Sequence, residues 1–241
     1  PTGSGKTTTL YSCLAELNTG ETKIITVEDP VEYQLKGIIQ IQANAPIGLT
    51  FAAALRSILR NDPDVIMIGE VRDFETAQIA IQMALTGHLV FSTLHTNDAA
   101  SGITRLIDIG IEPYLIASSV ECFIAQRLVR LLCPNCKKKI PITDMMKQEF
   151  VLNDATAVPD VFEAQGCKLC RMTGYAGRQA ISEFLILNDQ IRSMIVSRAS
   201  SVAIKQEAVA SGMKTLRQHG WEKVAAGLTS PSEVLRATQD D

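Results

Sequence analysis

The chain opens with a glycine-rich turn that runs directly into a helical pattern. Its first residues read Pro-Thr-Gly-Ser-Gly-Lys-Thr, the last seven positions of the eight-residue pattern Gly-x-x-x-x-Gly-Lys-Ser/Thr. In that pattern glycines let backbone N–H groups face a phosphate, and the helix start adds its positive dipole end. A nucleoside triphosphate site is predicted, with an ordinary glycine-rich turn as the alternative. The residues predicted to form it are Thr2, Gly3, Ser4, Gly5, Lys6, Thr7 and Thr8.

Two residues of this loop have separate predicted roles. Lys6 is placed to reach the β- and γ-phosphates, and the hydroxyl of Thr7 to bind Mg²⁺. A buried strand normally precedes such a loop in a parallel sheet. We therefore expect the natural chain to extend upstream of Pro1, and we expect these 241 residues alone to be less stable and weakly active or inactive.

Short apolar runs alternate with helical patterns in the first half of the chain. Strands are predicted at Lys23–Val27, Val65–Ile68 and Leu89–Thr93, and helices at 7–18, 50–60 (capped by Thr50) and from Asp73 to Leu85. Because this alternation is typical of parallel sheets covered by helices, an α/β fold is predicted. The predicted domains are a nucleotide-binding core over 1–132, a cysteine-containing element over 133–182 and a helical region over 183–241.

An acidic residue closes one of the predicted buried strands. Glu70 follows Val65–Ile68 and Gly69, at the place where nucleotide-binding proteins hold the water shell of their Mg²⁺. Glu70 is therefore a candidate magnesium-associated carboxylate. A solvated residue at a strand end is the alternative.

Two further polar segments also follow predicted strands. The carboxylates Glu28, Asp29 and Glu32 lie just after the first strand, where they can orient or deprotonate a water molecule. A solvated charged loop is the alternative for this segment. In the segment Thr86–Asp98, His95 follows a strand, whereas His88 precedes it. His95 is therefore the better candidate of the two for a sensor of the γ-phosphate.

Four of the six cysteines form two matching pairs. Cys133-Pro-Asn-Cys136 and Cys167-Lys-Leu-Cys170 are separated by 30 residues. Four thiolates at such a spacing suit tetrahedral Zn²⁺, and a helix predicted over 143–152 can span the gap. A structural zinc site is predicted at Cys133, Cys136, Cys167 and Cys170, with a redox pair or unrelated core thiols as the alternatives.

In this order and spacing, the phosphate loop and the three polar segments resemble the secretion ATPase family that powers type II secretion and type IV pilus assembly. The resemblance implies a RecA-like nucleotide-binding core that hydrolyses ATP with Mg²⁺. It also implies Glu32 as the catalytic carboxylate, Glu70 as the Walker B acid and His95 as the principal residue of the His box. Glu28 and Asp29 match the family pattern without a defined role.

The resemblance further implies an assembly and a location. Members of this family are expected to form rings, here of six copies, on the cytoplasmic face of the bacterial inner membrane, where they act on membrane platform proteins. The family's arginines that reach the nucleotide come largely from an N-terminal domain that this sequence lacks. The tetracysteine element is typical of assembly and secretion members, whereas pilus-retraction members lack it.

Charge and aromatic content bear on the competing classes of function. Residues 1–132 carry 9 basic and 14 acidic side chains, residues 133–241 carry 14 and 12, and aromatic residues make up 5% of the chain. A nucleic-acid motor needs a basic groove or stacking aromatic residues, so no nucleic-acid partner is expected. The alternatives are a DNA-transfer ATPase and a scaffold that binds nucleotide without hydrolysing it.

Overall fold

The structure, a computed structural model, describes residues 2–150 and 160–239. It divides into two compact units, each assembled from separate stretches of chain. The sheet unit consists of Lys6–Phe123 and Ile186–Ala208. The cysteine unit consists of the described residues of Pro1–Gly5, Ile124–Leu185 and Val209–Asp241. The predicted division into 1–132, 133–182 and 183–241 stays a prediction.

A four-stranded parallel sheet forms the centre of the sheet unit. Its strands are β1 (Ile24–Glu28), β2 (Ile39–Gln42), β3 (Val65–Ile68) and β4 (Leu89–Ser92), in the order β2-β1-β3-β4. The three predicted strands are confirmed as β1, β3 and β4. Strand β2 was not predicted, because four alternating residues at a sheet edge give a weak apolar signal. The two inner strands are buried along their whole length, as expected for parallel strands covered on both faces.

The sheet unit also contains helices, some of which begin at a side-chain cap. They are α1 (Lys6–Leu17), α2 (Phe51–Ile58), α3 (Phe74–Leu85), α4 (Ala100–Ile109), α5 (Pro113–Ser119), α7 (Asp189–Val196) and most of α8 (Ser201–Ala210). The Thr50 and Asp73 side chains accept hydrogen bonds from the first turns of α2 and α3, which confirms both predicted caps. Within residues 2–150 and 160–239, no helix has the length and apolar character needed to span a membrane.

Helix α1 packs against the middle of the sheet. Its buried residues Tyr11 and Leu14 form an apolar cluster with Ile24 of β1 and with Val65 and Met67 of β3. The hydroxyl of Tyr11, in the second turn of α1, contacts Glu28 at the carboxyl end of β1. The first turn of α1 therefore lies toward the edge of the sheet where the parallel strands end.

The described residues of the cysteine unit form two small sheets and three helices. Strand β5 (Cys122–Leu132) pairs with β8 (Tyr175–Ile186), and β6 (Lys138–Ile140) pairs antiparallel with β7 (Val161–Glu163). The helices are α6 (Asp144–Glu149), α9 (Leu216–Ala225) and α10 (Pro231–Ala237). The helix predicted over 143–152 is present as α6, with Thr143 as its cap, and residues 151 and 152 lie outside the described residues.

The region predicted to be mostly helical with short interruptions begins with residues that are not helical. Residues 183–186 are the end of strand β8, and the helices start only at Asp189. The reason is a period of two: Ile181, Glu183 and Leu185 are fully buried, while the residues between them are more exposed.

A buried carboxylate anchors α10 to strand β5 within the cysteine unit. Glu233 is 1% exposed and accepts hydrogen bonds from the backbone N–H of Arg130 and from the guanidinium groups of Arg130 and Arg236. Burial opposes ionisation, but these donors outweigh it and lower the pKa of Glu233 to about 2. The charged form of Glu233 therefore stabilises the folded state.

We expect this anchor to make stability depend on pH. Because the pKa of Glu233 is about 2 when folded and 4.5 in its unperturbed state, its contribution is complete above the higher value and is lost as the pH falls toward the lower. At about 1.4 kcal/mol per pH unit, the full contribution is about 3 kcal/mol. Urea unfolding from about pH 6 to about pH 3 gives the free energy of unfolding as a function of pH. This free energy should fall less steeply with decreasing pH in the Glu233→Gln variant than in wild type.

A matched control is available in the same unit. Glu149 forms a surface ion pair with Arg217, and exposed pairs contribute little to stability. Glu149→Gln should therefore follow the wild-type pH profile. Equal profiles for Glu233→Gln and wild type would contradict the assignment.

Candidate functional site

The carboxyl ends of the parallel strands bring the predicted polar segments to one edge of the sheet. Glu28 is the last residue of β1, Glu70 follows β3, and His95 follows β4. At the step that follows β3, the Gly69 N–H donates to the Val27 carbonyl at 2.8 Å, which brings the two backbones close together. A Cβ at Gly69 would lie 3.3 Å from the Glu28 Cα, which is tighter than almost all real contacts of that kind.

Glu70 and His95 are brought into direct contact. The Oε2 atom of Glu70 lies 3.1 Å from His95 Nε2 and forms an ion pair with Arg72 Nε at 2.6 Å. The segments that carry them are locked together, because the Thr93 hydroxyl donates to the Gly69 carbonyl at 2.7 Å and Val71 N–H donates to the Thr93 carbonyl at 3.0 Å. With 14% of its side chain exposed, Glu70 is an enclosed but accessible carboxylate.

The carboxylates that follow β1 occupy different environments. Glu28 is 3% exposed and accepts hydrogen bonds from the Tyr11 hydroxyl, from Thr26 Oγ1 at 2.5 Å and from Gln40 Nε2 at 3.2 Å. By contrast, the side chains of Asp29 and Glu32 are exposed. Glu28 is therefore a buried structural anchor, and Glu32 is a carboxylate that a solute can reach.

Sequence reasoning missed two residues of this arrangement, Tyr11 and Gln40. Tyr11 lies among the apolar positions of α1, so it was indistinguishable from an ordinary core residue. Gln40 lies on the edge strand β2, whose Ile-Gln-Ile-Gln alternation was the one available signal.

The predicted phosphate loop has the backbone of a tight turn that leads into a helix. Gly3 and Gly5 have φ values of +76° and +89°, in the left-handed region that favours glycine, and α1 begins at Lys6. Lys6, Thr7 and Thr8 thus form the first turn of α1, where backbone N–H groups have no partner within the helix. Such a turn can hold a phosphate group.

Gln126 of β5 contacts Ser4 and Gly5, which belong to the same unit. Its Nε2 atom donates to the Ser4 carbonyl at 2.8 Å and would lie 2.8 Å from a Cβ placed on Gly5. The Ser4 hydroxyl is buried and has no hydrogen-bond partner among the described residues. A buried polar atom of this kind fits a loop that is completed by a polar ligand.

The four predicted zinc ligands converge in the cysteine unit. The sulfur atoms of Cys133, Cys136, Cys167 and Cys170 all lie within 4.8 Å of one another, with three of the separations at 4.0, 3.8 and 3.7 Å. Four sulfurs around Zn²⁺ at the usual bond length of about 2.3 Å would be separated by about 3.8 Å. The donor set and its spacing therefore fit a tetrahedral zinc ion with no position left for a catalytic water.

The backbone around these cysteines favours thiolate ligands. The N–H groups of Cys167 and Gly174 donate to the Cys170 sulfur at 3.1 and 3.2 Å. Although burial opposes ionisation, these donors lower the pKa of Cys170 to about 6, whereas burial raises the pKa of Cys136 to about 12. A divalent cation would compensate the charge of the thiolates that bind it.

Comparison with known proteins places these features in a family context. The family model described as "Type II/IV secretion system protein" matches residues 1–236. The type II secretion system protein HxcR of Pseudomonas aeruginosa is 51% identical over 240 residues, which cover 100% of this chain and 47% of HxcR. The type IV pilus assembly ATPase PilB of Myxococcus xanthus is 51% identical over 247 residues, which cover 100% of this chain and 43% of PilB. The chain thus spans about half the length of these curated relatives.

A solved structure shares the same fold. The crystal structure of the pilus retraction motor PilT with bound ADP aligns over 100% of this chain and 60% of that chain, with a TM-score of 0.70 and 32% identity. The α/β architecture with a parallel sheet is therefore common to both proteins.

Proposed function

The chain belongs to the type II/IV secretion system protein family, and we propose that it is the catalytic part of an ATPase that powers type II protein secretion or type IV pilus assembly. The observation that carries the proposal is the contact between Glu70 and His95 at the carboxyl edge of the sheet, in a chain that also has a phosphate loop. The names of its relatives, a type II secretion protein and a pilus assembly ATPase, support the same function. The ADP bound in the structure of PilT supports an adenine nucleotide as the ligand of this chain.

Each predicted site residue has a role in this proposal. The backbone of Thr2–Thr8 and the Lys6 ammonium group hold the phosphates of ATP and neutralise the charge that develops during transfer. Thr7 and Glu70 would hold Mg²⁺, which would supply positive charge to stabilise the negative charge of the phosphates.

Two residues act on the reacting end of the nucleotide. The exposed carboxylate of Glu32 orients the attacking water and accepts its proton, and His95 responds to the γ-phosphate through its contact with Glu70. The products are ADP and inorganic phosphate.

The wider architecture follows from family membership. We infer a RecA-like core with a helical C-terminal region, assembled into a homohexameric ring. The ring acts at the cytoplasmic face of the bacterial inner membrane through platform proteins of the secretion or pilus machinery. Because the chain spans about half the length of its curated relatives, the ring is proposed for the whole protein.

The cysteine cluster supports an assembly or secretion role over pilus retraction. In the proposal Cys133, Cys136, Cys167 and Cys170 hold one structural Zn²⁺, an element that retraction ATPases lack. The higher identity to HxcR and PilB, 51% each, than to the retraction motor PilT, 32%, points the same way.

Lys6→Ala in the complete enzyme tests the proposed function. Removing the ammonium group should lower ATP turnover by at least about 100-fold and weaken nucleotide binding, because the phosphates lose their main countercharge. Phosphate release and the binding of a fluorescent nucleotide measure the two effects. Lys138→Ala, which removes an exposed charge from β6 in the cysteine unit, is the matched control and should behave as wild type.

Two outcomes would contradict the proposal. Tight nucleotide binding by the wild type without any turnover would indicate the non-hydrolysing scaffold. Turnover that depends on single-stranded DNA would indicate the nucleic-acid motor.

A further inference from the structure

Tyr11 connects the helix of the phosphate loop to the loop that carries Glu32, here called the Glu32 loop (residues 29–38). Tyr11 is 1% exposed and lies in the second turn of α1. Its hydroxyl donates to Glu28 Oε2 and accepts the backbone N–H of Glu32 at 3.3 Å. Its ring meets that of Tyr33 edge-on, with 4.7 Å between the centroids. One side chain thus contacts the end of β1 and two consecutive residues of the Glu32 loop.

The hydrogen bonds of this hydroxyl have a defined direction. Burial, and then the neighbouring Glu28, raise the pKa of Tyr11 to about 12, so the hydroxyl keeps its proton and donates a hydrogen bond to Glu28. Its oxygen accepts the backbone N–H of Glu32 at 3.3 Å, and Gln40 Nε2 lies at the same distance from it. The hydroxyl therefore acts as a donor to Glu28 and as an acceptor from Glu32 at the same time.

Gln40 holds the same loop from strand β2. Its Oε1 atom accepts the N–H of Leu35 at 2.7 Å, and its Nε2 atom donates to the Tyr33 carbonyl at 3.2 Å and to Glu28 Oε1 at 3.2 Å. The backbone of the Glu32 loop is therefore held at residues 32, 33 and 35. The Glu32 side chain itself stays exposed, as expected for a functional group on a preorganised support.

We propose that Tyr11 is a positioning residue that ties the phosphate-loop helix to the Glu32 loop. Tyr11 lies five residues beyond Lys6 on the same helix, or about 7.5 Å along its axis. A nucleotide that orders the first turn of α1 therefore also determines where the backbone of Glu32 lies. The inference rests on the proposed function, because it assigns the positioning to the catalytic carboxylate.

Tyr11→Phe in the complete enzyme tests this inference through the split between kcat and KM. Phenylalanine keeps the ring and its packing and removes only the hydroxyl. We expect kcat for ATP hydrolysis to fall by about 10- to 100-fold while KM changes by less than about threefold, because misplacing a catalytic group slows chemistry more than it weakens binding. Combined with Glu32→Gln, the variant should be no slower than Glu32→Gln alone.

Tyr114→Phe is the matched control, because Tyr114 is an exposed tyrosine on α5 of the same unit. It should leave kcat unchanged. Wild-type kcat in Tyr11→Phe would overturn the inference. A parallel loss of nucleotide binding and thermal stability would also overturn it, because that result indicates a purely structural hydroxyl.

A second readout does not depend on turnover. Without its acceptor the Glu32 amide should exchange with deuterium faster in Tyr11→Phe than in wild type, in the absence of nucleotide. Unchanged exchange over residues 29–38 would overturn the connection whether or not the enzyme hydrolyses ATP. Absence of turnover in the wild type would instead overturn the proposed function.

Gln40→Met tests the same connection from the other side. Methionine matches the length of glutamine but forms none of its hydrogen bonds to Tyr33 and Leu35. It should reproduce the selective fall in kcat, and it provides the decisive comparison if Tyr11→Phe does not fold. Wild-type kcat in Gln40→Met would count against the positioning role.

Discussion

Glu70→Gln is expected to lower kcat for ATP hydrolysis by about 100- to 1,000-fold while ATP binding changes by less than about threefold. Glutamine preserves the size and hydrogen-bonding length of the side chain but removes its negative charge. The carboxylate is enclosed, with 14% of the side chain exposed, and one of its oxygens contacts both His95 and Arg72. Without the charge, the side chain loses its ion pair with Arg72 and would no longer supply a carboxylate to Mg²⁺. Nucleotide binding depends mainly on the phosphate loop and should persist.

Steady-state phosphate release and equilibrium binding of a fluorescent nucleotide separate the two effects. Glu75→Gln is the matched control, because Glu75 lies five residues further on, at the surface of α3, in an exposed ion pair with Arg56. It should retain wild-type kcat. The Glu70 assignment would fail if Glu70→Gln kept more than about a third of wild-type kcat, or if it lost nucleotide binding to the same extent as turnover.

Cys170→Ser is expected to remove zinc and to unfold the cysteine unit. The Cys170 sulfur is buried, lies 3.8 Å from the Cys136 sulfur and 3.7 Å from the Cys167 sulfur, and accepts two backbone N–H groups. A serine oxygen is a poorer ligand for Zn²⁺ than a cysteine sulfur, so the three remaining cysteines would hold the ion much less tightly. Because binding energy at a structural zinc site is folding energy, the loss in unfolding free energy should exceed about 4 kcal/mol.

Metal analysis of the purified protein should give about one zinc per chain for wild type and near zero for Cys170→Ser. Thermal unfolding should show a lower midpoint for the variant and for the chelator-treated wild type. Cys13→Ser is the control, because Cys13 lies on α1, outside the cluster. Full zinc content in Cys170→Ser, or a wild type without zinc, would contradict the structural site.

Local patterns accounted for much of the fold. The caps at Thr50 and Asp73 and the strands β1, β3 and β4 were all predicted, because each depends on residues within one turn or one strand. Strand β2 was missed, and the end of β8 was assigned to a helical region. At both places the signal is an alternation that becomes informative only when the partner strand is known.

The sequence alone determined which chemical groups are present: a loop shaped for phosphate, an acid after a buried strand and four cysteines with the spacing of a metal site. Only the tertiary structure decided which of two neighbouring carboxylates, Glu28 or Glu32, a solute can reach. Glu28 and Glu32 are four residues apart in one acidic segment, but the packing of Tyr11 against β1 buries the first and leaves the second exposed. Burial depends on contacts between residues distant in the chain, whereas residue type and spacing report only on neighbours. For the same reason the contact of Glu70 with His95 required the order of the strands to be known.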